Sequence, residues 1–195
     1  MSLNLKKRVA TSIFLTFLLI GMFLYSYVMI ICLIIIAIIS WIEFYALISK
    51  IIKKSNMKDK FFRFFYKTLS LFYLSGLVCL ILAIESQFFN LRIYLLYSIL
   101  IAIMSDIGGL VFGKIFKGKK LTKISPNKTI SGSIGSFIFS MSLSPFFYKY
   151  QIDQNLLSIF LITITISLTS QLGDLFISFL KRRAKVKDTS DILPG

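Results

Sequence analysis

Four side chains late in the chain have the types and spacing for phosphate and metal chemistry. In Gly173-Asp174-Leu-Phe-Ile-Ser178-Phe-Leu-Lys181-Arg182, a continuing helix puts Asp174, Ser178, Lys181 and Arg182 at i, i+4, i+7 and i+8. That is one helix face. It offers a carboxylate to a cation, a hydroxyl, and two cations to an anion. Leu175, Phe176, Phe179 and Leu180 take the other faces. A plainly structural role stays open: an Asp–Lys pair steadying a helix end, with snorkelling basic residues behind it.

A second stretch suits anions. In Leu121-Thr-Lys-Ile-Ser125-Pro126-Asn127-Lys128-Thr129-Ile-Ser131-Gly132-Ser-Ile-Gly135, Ser125 is read as a helix cap with Pro126 in the first helical position. Free N–H groups at such a terminus attract anions. Lys128 adds a point charge, Thr129 a hydroxyl, and Gly132 and Gly135 allow close approach. An ordinary basic loop leading into a helix is the alternative. The third stretch is Ser105-Asp106-Ile-Gly108-Gly109-Leu-Val-Phe-Gly113-Lys114. Its Gly109/Gly113 pair is a small-xxx-small contact, expected to bring Asp106 against neighbouring helices.

Absences narrow the chemistry. There is no histidine, so no Ser-His or Cys-His nucleophile and no His-ligated zinc. Catalysis would rest on carboxylates, Lys, Arg, hydroxyls and hard metal ions. Cys32 and Cys79 read as small apolar fillers. Of eight carboxylates, Asp59, Glu85 and Asp153 fall in expected loops, and Glu43 beside Trp41 reads as interfacial. Asp106, Asp174, Asp188 and Asp191 gather at or near one membrane boundary. Carboxylates within membrane helices are costly and usually face a polar cavity. Mg²⁺ sites use one or two carboxylates plus substrate phosphates, and two-metal sites clamp attacking and leaving oxygens. The three stretches therefore describe an interfacial site where a phosphorylated lipid meets a soluble nucleotide.

The elements that must position these residues are membrane helices. The 195-residue chain is 56% hydrophobic, with mean hydropathy +0.82. No charge occurs from Val9 to Ile42. At ~1.5 Å per residue that run is about 50 Å long, too long for one crossing, so two helices with a hairpin near Tyr25-Ser26-Tyr27 are expected. The run continues without a small-residue cleavage site, which argues against a signal peptide. Charge-poor blocks at Thr68–Ile84, Ile93–Phe112, Thr129–Tyr148 and Gln154–Gly173 complete six transmembrane helices. The expected fold is all-α and polytopic, one membrane domain over 1–195, with 9–48 as scaffold and 93–195 carrying the site.

Charge sets the expected orientation. The N-terminus, the loops at 50–67 and 113–128 and the C-terminal segment hold 21 of the 23 Lys and Arg. Arg92 and Lys149 alone lie in the opposite set. Basic loops stay cytoplasmic, so both termini and the site are expected at the cytoplasmic face. The net charge of +15 suits anionic lipid surfaces. Nothing resembles a nucleic-acid module, so nucleic acid is not an expected partner.

The pattern Gly173-Asp174-x3-Ser178-x2-Lys181-Arg182-x4-Lys187-Asp188-x5-Pro194-Gly195 resembles the opening of the phosphatidate cytidylyltransferase (CDP-diglyceride synthetase) signature. Ser125-Pro126-x-Lys128-Thr129-x2-Gly132 resembles that family's second landmark, and Asp106 to Gly113 is similar in position and character. The resemblance implies that phosphatidic acid and CTP give CDP-diacylglycerol and pyrophosphate with Mg²⁺, two ions in the complete protein, in the inner membrane of a bacterium. It implies Asp174 and Asp188, with Asp106, at the metal centre, and Asp174, Lys181 and Asp188 as catalytic residues. It implies Ser125, Lys128, Thr129, Ser178, Arg182 and Lys187 in substrate binding, with bilayer lipids as partners and a homodimer left open. Two departures stand out. Ser131 occupies a position where the family often has Glu. The family signature also runs on past Pro-Gly into His-Gly-Gly and further Asp residues, so a chain cut short at its C-terminal end is expected.

Two other readings share the residues. An ion-coupled transporter would use Asp106 and Asp174 as intramembrane ion sites, but it expects midplane carboxylates and internal repeats, and no repeat is visible. A different CTP-dependent lipid enzyme, such as a polyprenol kinase, should lack the Lys181-Arg182…Lys187-Asp188…Pro194-Gly195 spacing.

Overall fold

A computed structural model describes residues 3–52, 56–87, 91–150 and 155–186. Seven α-helices account for most of them: α1 (Leu3–Leu24), α2 (Ser26–Ile51), α3 (Met57–Gln87), α4 (Leu91–Phe116), α5 (Ile130–Met141), α6 (Ser144–Phe147) and α7 (Leu156–Arg183). No β-strand occurs among the described residues; one isolated antiparallel bridge joins Lys120 and Thr129. Among the described residues, five spans are long and apolar enough to cross a bilayer: α2, most of α3, most of α4, α5 with α6, and α7. Val9–Leu24 is a shorter apolar helix. The all-α membrane architecture read from the sequence therefore holds. The many exposed Ile, Leu and Phe side chains suit lipid as the solvent.

Helix boundaries follow local chemistry, sometimes against expectation. The first break falls at Tyr25, in extended conformation (φ −125°, ψ 116°), within the expected hairpin. In contrast, α3 begins at Met57, eleven residues before the expected Thr68. Lys58, Lys60, Arg63 and Lys67 look like a loop on hydropathy alone, but Lys and Arg are good helix formers, and Asp59 sits in the first turn, where the helix dipole favours it. The expected helix from Thr129 to Tyr148 is broken. It stops at Met141, restarts as α6 with Pro145 in its first turn, and runs on as a 3₁₀ turn over Tyr148–Tyr150. Proline has no N–H to give an upstream carbonyl, and its ring crowds that carbonyl.

The chain packs as two compact units, α1–α3 and α4–α7. In the first, Met29, Leu47 and Ile48 of α2 are buried, and Trp41 Nε1 donates to the Lys67 carbonyl at 3.2 Å. In the second, Tyr97, Ile101 and Ile159 form the apolar core, packed by Leu143, Phe147 and Ile166. Ser105, Ser136, Ser140, Ser144, Thr163 and Ser167 are buried alongside it. Their hydroxyls pair across helices: Ser105 with Ser167 at 3.1 Å, Ser136 donating to the Ser105 carbonyl at 2.7 Å, and Tyr97 with Thr163 at 2.5 Å. Where lipid removes the hydrophobic drive between helices, small residues and such hydrogen bonds hold them together.

Among the described helices, α4 and α5 share the most extensive contact. A Cβ added to Gly108 would clash with the Gly135 carbonyl oxygen and lie 2.7 Å from Phe139 Cβ. One added to Gly109 would stand 2.8 Å from Ser136 Oγ. The expected contact at Gly109 and Gly113 is present, but Gly108 against Gly135 is its tightest point.

Candidate functional site

The residues between α4 and α5 do not form the expected capped helix start. Ser125 is not an N-cap. Its carbonyl accepts from Lys128 N–H at 3.1 Å, closing a turn with Pro126 in the second position. Proline's fixed φ suits that position as well as a first helical turn, so the Ser-Pro pair alone could not distinguish them. The helix starts four residues later. Thr129 is the N-cap, and its Oγ1 accepts from Gly132 N–H at 3.0 Å.

The loop is closed by a short backbone ladder. Leu121 N–H donates to the Lys128 carbonyl at 2.8 Å, and Ile130 N–H to the Lys119 carbonyl at 2.9 Å. Lys117, just past α4, takes a positive φ of 43°, which turns the chain out of the helix. Ser131 Oγ then accepts from Gly118 N–H at 3.2 Å and pairs with Thr129 Oγ1 at 3.1 Å. Ser131 thus ties the beginning of the loop to its end.

This loop covers a cavity of about 360 Å³. α4 contributes Ser105, Asp106, Gly109 and Leu110. The loop contributes Leu121, Ser125, Asn127, Lys128 and Thr129. α5 contributes Gly132, Ser133 and Ser136, and α7 contributes Gln171 and Asp174. Lys128 Nζ donates to Asp174 Oδ2 at 2.7 Å. The Asp174 side chain is 58% exposed and that of Lys128 29%, so the pair contributes about 0–1 kcal/mol. Little energy is needed to redirect the ammonium to another anion. Asp106 lies within electrostatic reach of both Asp174 and Lys128. Behind them, Ser133 donates to Gln171 Oε1 at 2.5 Å, and Gln171 Nε2 to Ser167 Oγ at 3.4 Å.

Five sequence candidates therefore meet in one cavity: Asp106, Ser125, Lys128, Thr129 and Asp174. Ser178, Lys181 and Arg182 continue along α7 beyond its lining, the first two half-buried and Arg182 exposed. Lys187 and Asp188 lie outside the described residues. Asn127, Ser133, Ser136 and Gln171 were not singled out by the sequence. Gln171 had a signal, since it precedes Asp174 by three residues within an apolar helix and so shares its face.

No group of three or more acidic, Cys or His side chains that could hold a metal occurs among the described residues. Two carboxylates in one cavity still match the usual protein share of a Mg²⁺ site, where substrate phosphates and water supply the remaining oxygens.

Comparison with known proteins gives the family. The cytidylyltransferase family model matches residues 2–195. A phosphatidate cytidylyltransferase of Staphylococcus haemolyticus (strain JCSC1435) is 43% identical over 105 residues, 52% of this chain and 40% of the relative. Proteins of the same name from Staphylococcus epidermidis (strain ATCC 12228 / FDA PCI 1200) and Staphylococcus aureus (strain COL) are 41% and 44% identical over the same coverage. Each match thus spans well under two thirds of the relative's length. No solved structure matches this chain. The chain belongs to the cytidylyltransferase family.

Proposed function

We propose that this member of the cytidylyltransferase family transfers CMP from CTP to phosphatidic acid, giving CDP-diacylglycerol and pyrophosphate. The observation that carries the reading is the Lys128–Asp174 pair, 2.7 Å long, set in a cavity shared with Asp106 and the Ser125–Thr129 loop. The names of the staphylococcal relatives support the choice of nucleotide and lipid.

A phosphate oxygen of the lipid attacks the α-phosphorus of CTP. The bond from that phosphorus to the oxygen bridging to the β-phosphate breaks, and pyrophosphate leaves. Lys128 turns from Asp174 to a substrate phosphate and offsets the developing charge. Ser125, Asn127 and Thr129 present hydroxyl and amide groups to phosphate oxygens. Asp106 and Asp174 would hold Mg²⁺, which acts as a Lewis acid on phosphoryl oxygens and can do so as a pair of ions. Lys181, Arg182 and Ser178, next on α7, would extend the anion path, with Lys187 and Asp188 following in sequence. The excess of Lys and Arg in the loops on this side supports a cytoplasmic orientation for it, where CTP would be met.

The test is CTP- and phosphatidate-dependent pyrophosphate release from membranes containing the protein, with Asp174→Asn as the partner variant. Release that needs both substrates and falls at least about 100-fold in Asp174→Asn, on the scale of losing one transition-state contact, is expected. Folded protein that releases no pyrophosphate with both substrates present overturns the proposal. So does an unchanged rate in the variant.

A further inference from the structure

The first unit carries a cavity of its own, of about 370 Å³, between α2 and α3. Trp41 and Tyr45 line it from α2; Lys60, Arg63, Phe64 and Lys67 line it from α3. Lys60, Arg63 and Lys67 fall at i, i+3 and i+7, and Trp41 and Tyr45 at i and i+4, so each helix turns a single stripe to the cavity. Aromatic groups form one wall and cations the other.

The walls are tied together. Trp41 Nε1 donates to the Lys67 carbonyl at 3.2 Å. The Lys67 ammonium stands 3.2 Å from the centroid of the Tyr45 ring, and the two rings lie 5.6 Å apart. The Lys67 charge is thus held over an aromatic face, as in a cation–π contact.

Position along the helix indicates what the cavity meets. α3 has 31 residues, about 46 Å at 1.5 Å per residue, against a hydrocarbon thickness of ~30 Å. Its apolar stretch after Lys67 supplies the crossing, so the turns bearing Lys60, Arg63 and Lys67 stand at headgroup level. Trp and Tyr rings favour that level too. The chemistry that fits is a phosphate. Phe64 is 69% and Leu71 48% exposed beside the basic side chains. A soluble phosphate has no use for that apolar flank, whereas a phospholipid would lay its acyl chains along it.

We propose that the α2–α3 cavity binds the phosphate of an anionic membrane phospholipid, as a site separate from the one in the second unit. The proposal does not rest on the proposed activity, and its test does not measure activity.

Trp41 is the chain's one tryptophan, so it reports on its own cavity. The protein is reconstituted in phosphatidylcholine vesicles that contain increasing fractions of either bromine-labelled phosphatidylglycerol or bromine-labelled phosphatidylcholine, and Trp41 quenching is measured. The anionic probe is expected to reach half-maximal quenching at a mole fraction at least fivefold lower, about the effect of one surface cation. Lys60→Ala/Arg63→Ala should erase this preference, and Lys60→Arg/Arg63→Lys, which keeps charge and helix, should retain it. Lys120→Ala/Lys123→Ala removes equal charge elsewhere and should leave it intact. Equal quenching by the two lipids overturns the proposal, as does a preference that survives in Lys60→Ala/Arg63→Ala. Loss of the preference in Lys120→Ala/Lys123→Ala points to general surface charge and overturns it also. Its abolition by inorganic phosphate, at matched ionic strength, assigns the cavity to free phosphate and rejects the lipid.

Discussion

Replacing Gly108 by alanine should open the candidate site without touching any group that lines it. The added Cβ would clash with the Gly135 carbonyl oxygen and press on Phe139 Cβ at 2.7 Å. Neither neighbour is the movable end of a side chain, so the backbones of α4 and α5 must part by about 1 Å. Overpacking of that kind costs roughly 1–3 kcal/mol, and the small gain in helix propensity from Gly to Ala, at most about 1 kcal/mol, does not offset it. The same movement carries Asp106 on α4 away from Lys128 and Thr129 at the start of α5, and misplacement on the ångström scale costs about 100-fold in rate. Gly76→Ala is the control, because nothing lies within 4 Å of its added Cβ. Thermal unfolding in detergent and pyrophosphate release are measured on both variants. Gly108→Ala should melt earlier and lose most of its turnover, and Gly76→Ala should match or exceed the parent's stability. A Gly108→Ala protein with the parent's melting temperature and rate would refute the close α4–α5 crossing as the element that positions the site.

Thr129→Ala removes the cap of α5 and should cost about 1 kcal/mol of stability; Thr129→Ser, which keeps the hydroxyl, should restore it in the same denaturation assay. Ser131→Ala unties Gly118 N–H from the loop's far end and should cost about 0.5–1.5 kcal/mol, with faster hydrogen exchange at Gly118 as the specific signature. Tyr97→Phe strips the hydroxyl that pairs with Thr163 and Ser144 and should cost about 0.6 kcal/mol, the usual size of such bonds between membrane helices, measured by unfolding in detergent.

The membrane architecture was legible because charge is expensive in lipid. The charge-free run from Val9 to Ile42 locates two helices whatever they pack against. The break at Tyr25 could be placed to within a residue or two from length alone. Asp106, Lys128 and Asp174 were legible for a related reason, since ionic groups near apolar segments have few tolerable surroundings except each other. Hydroxyls carry no such penalty. Ser133 and Ser136 look like any of the many serines in the chain, and their place in the cavity depends on how α5 is rotated against α4. That rotation is set by Gly108 meeting Gly135, a contact between residues 27 apart, which no local pattern encodes. The start of α3 was missed because hydropathy measures solvent preference, and helix formation in Lys58–Lys67 does not require burial. The expected cap at Ser125 failed because proline serves two geometries, and the ladder from Lys119 to Ile130 chose the turn.

Charge in the cavity yields a prediction that changes sign with conditions. Its charged lining comprises Asp106, Asp174 and Lys128, two anions and one cation. A triphosphate entering that lining alone meets net repulsion. One unit charge about 5 Å from a phosphate contributes about 3 kcal/mol at an effective dielectric of 20. Exposure of these side chains to water reduces that to about 1 kcal/mol, or about fivefold in affinity. In the presence of Mg²⁺ the same carboxylates would be ligands, and the proposed chemistry makes them attractive through the ion. Asp106→Asn should therefore tighten CTP binding about fivefold in EDTA and weaken it in millimolar Mg²⁺. Calorimetric titration of the detergent-solubilised protein in the two buffers reads both directions. A loss of affinity in both buffers would mean that Asp106 holds the fold of the cavity and not a cation. A gain in both would remove Asp106 from the metal site and leave Asp174 without its described partner there.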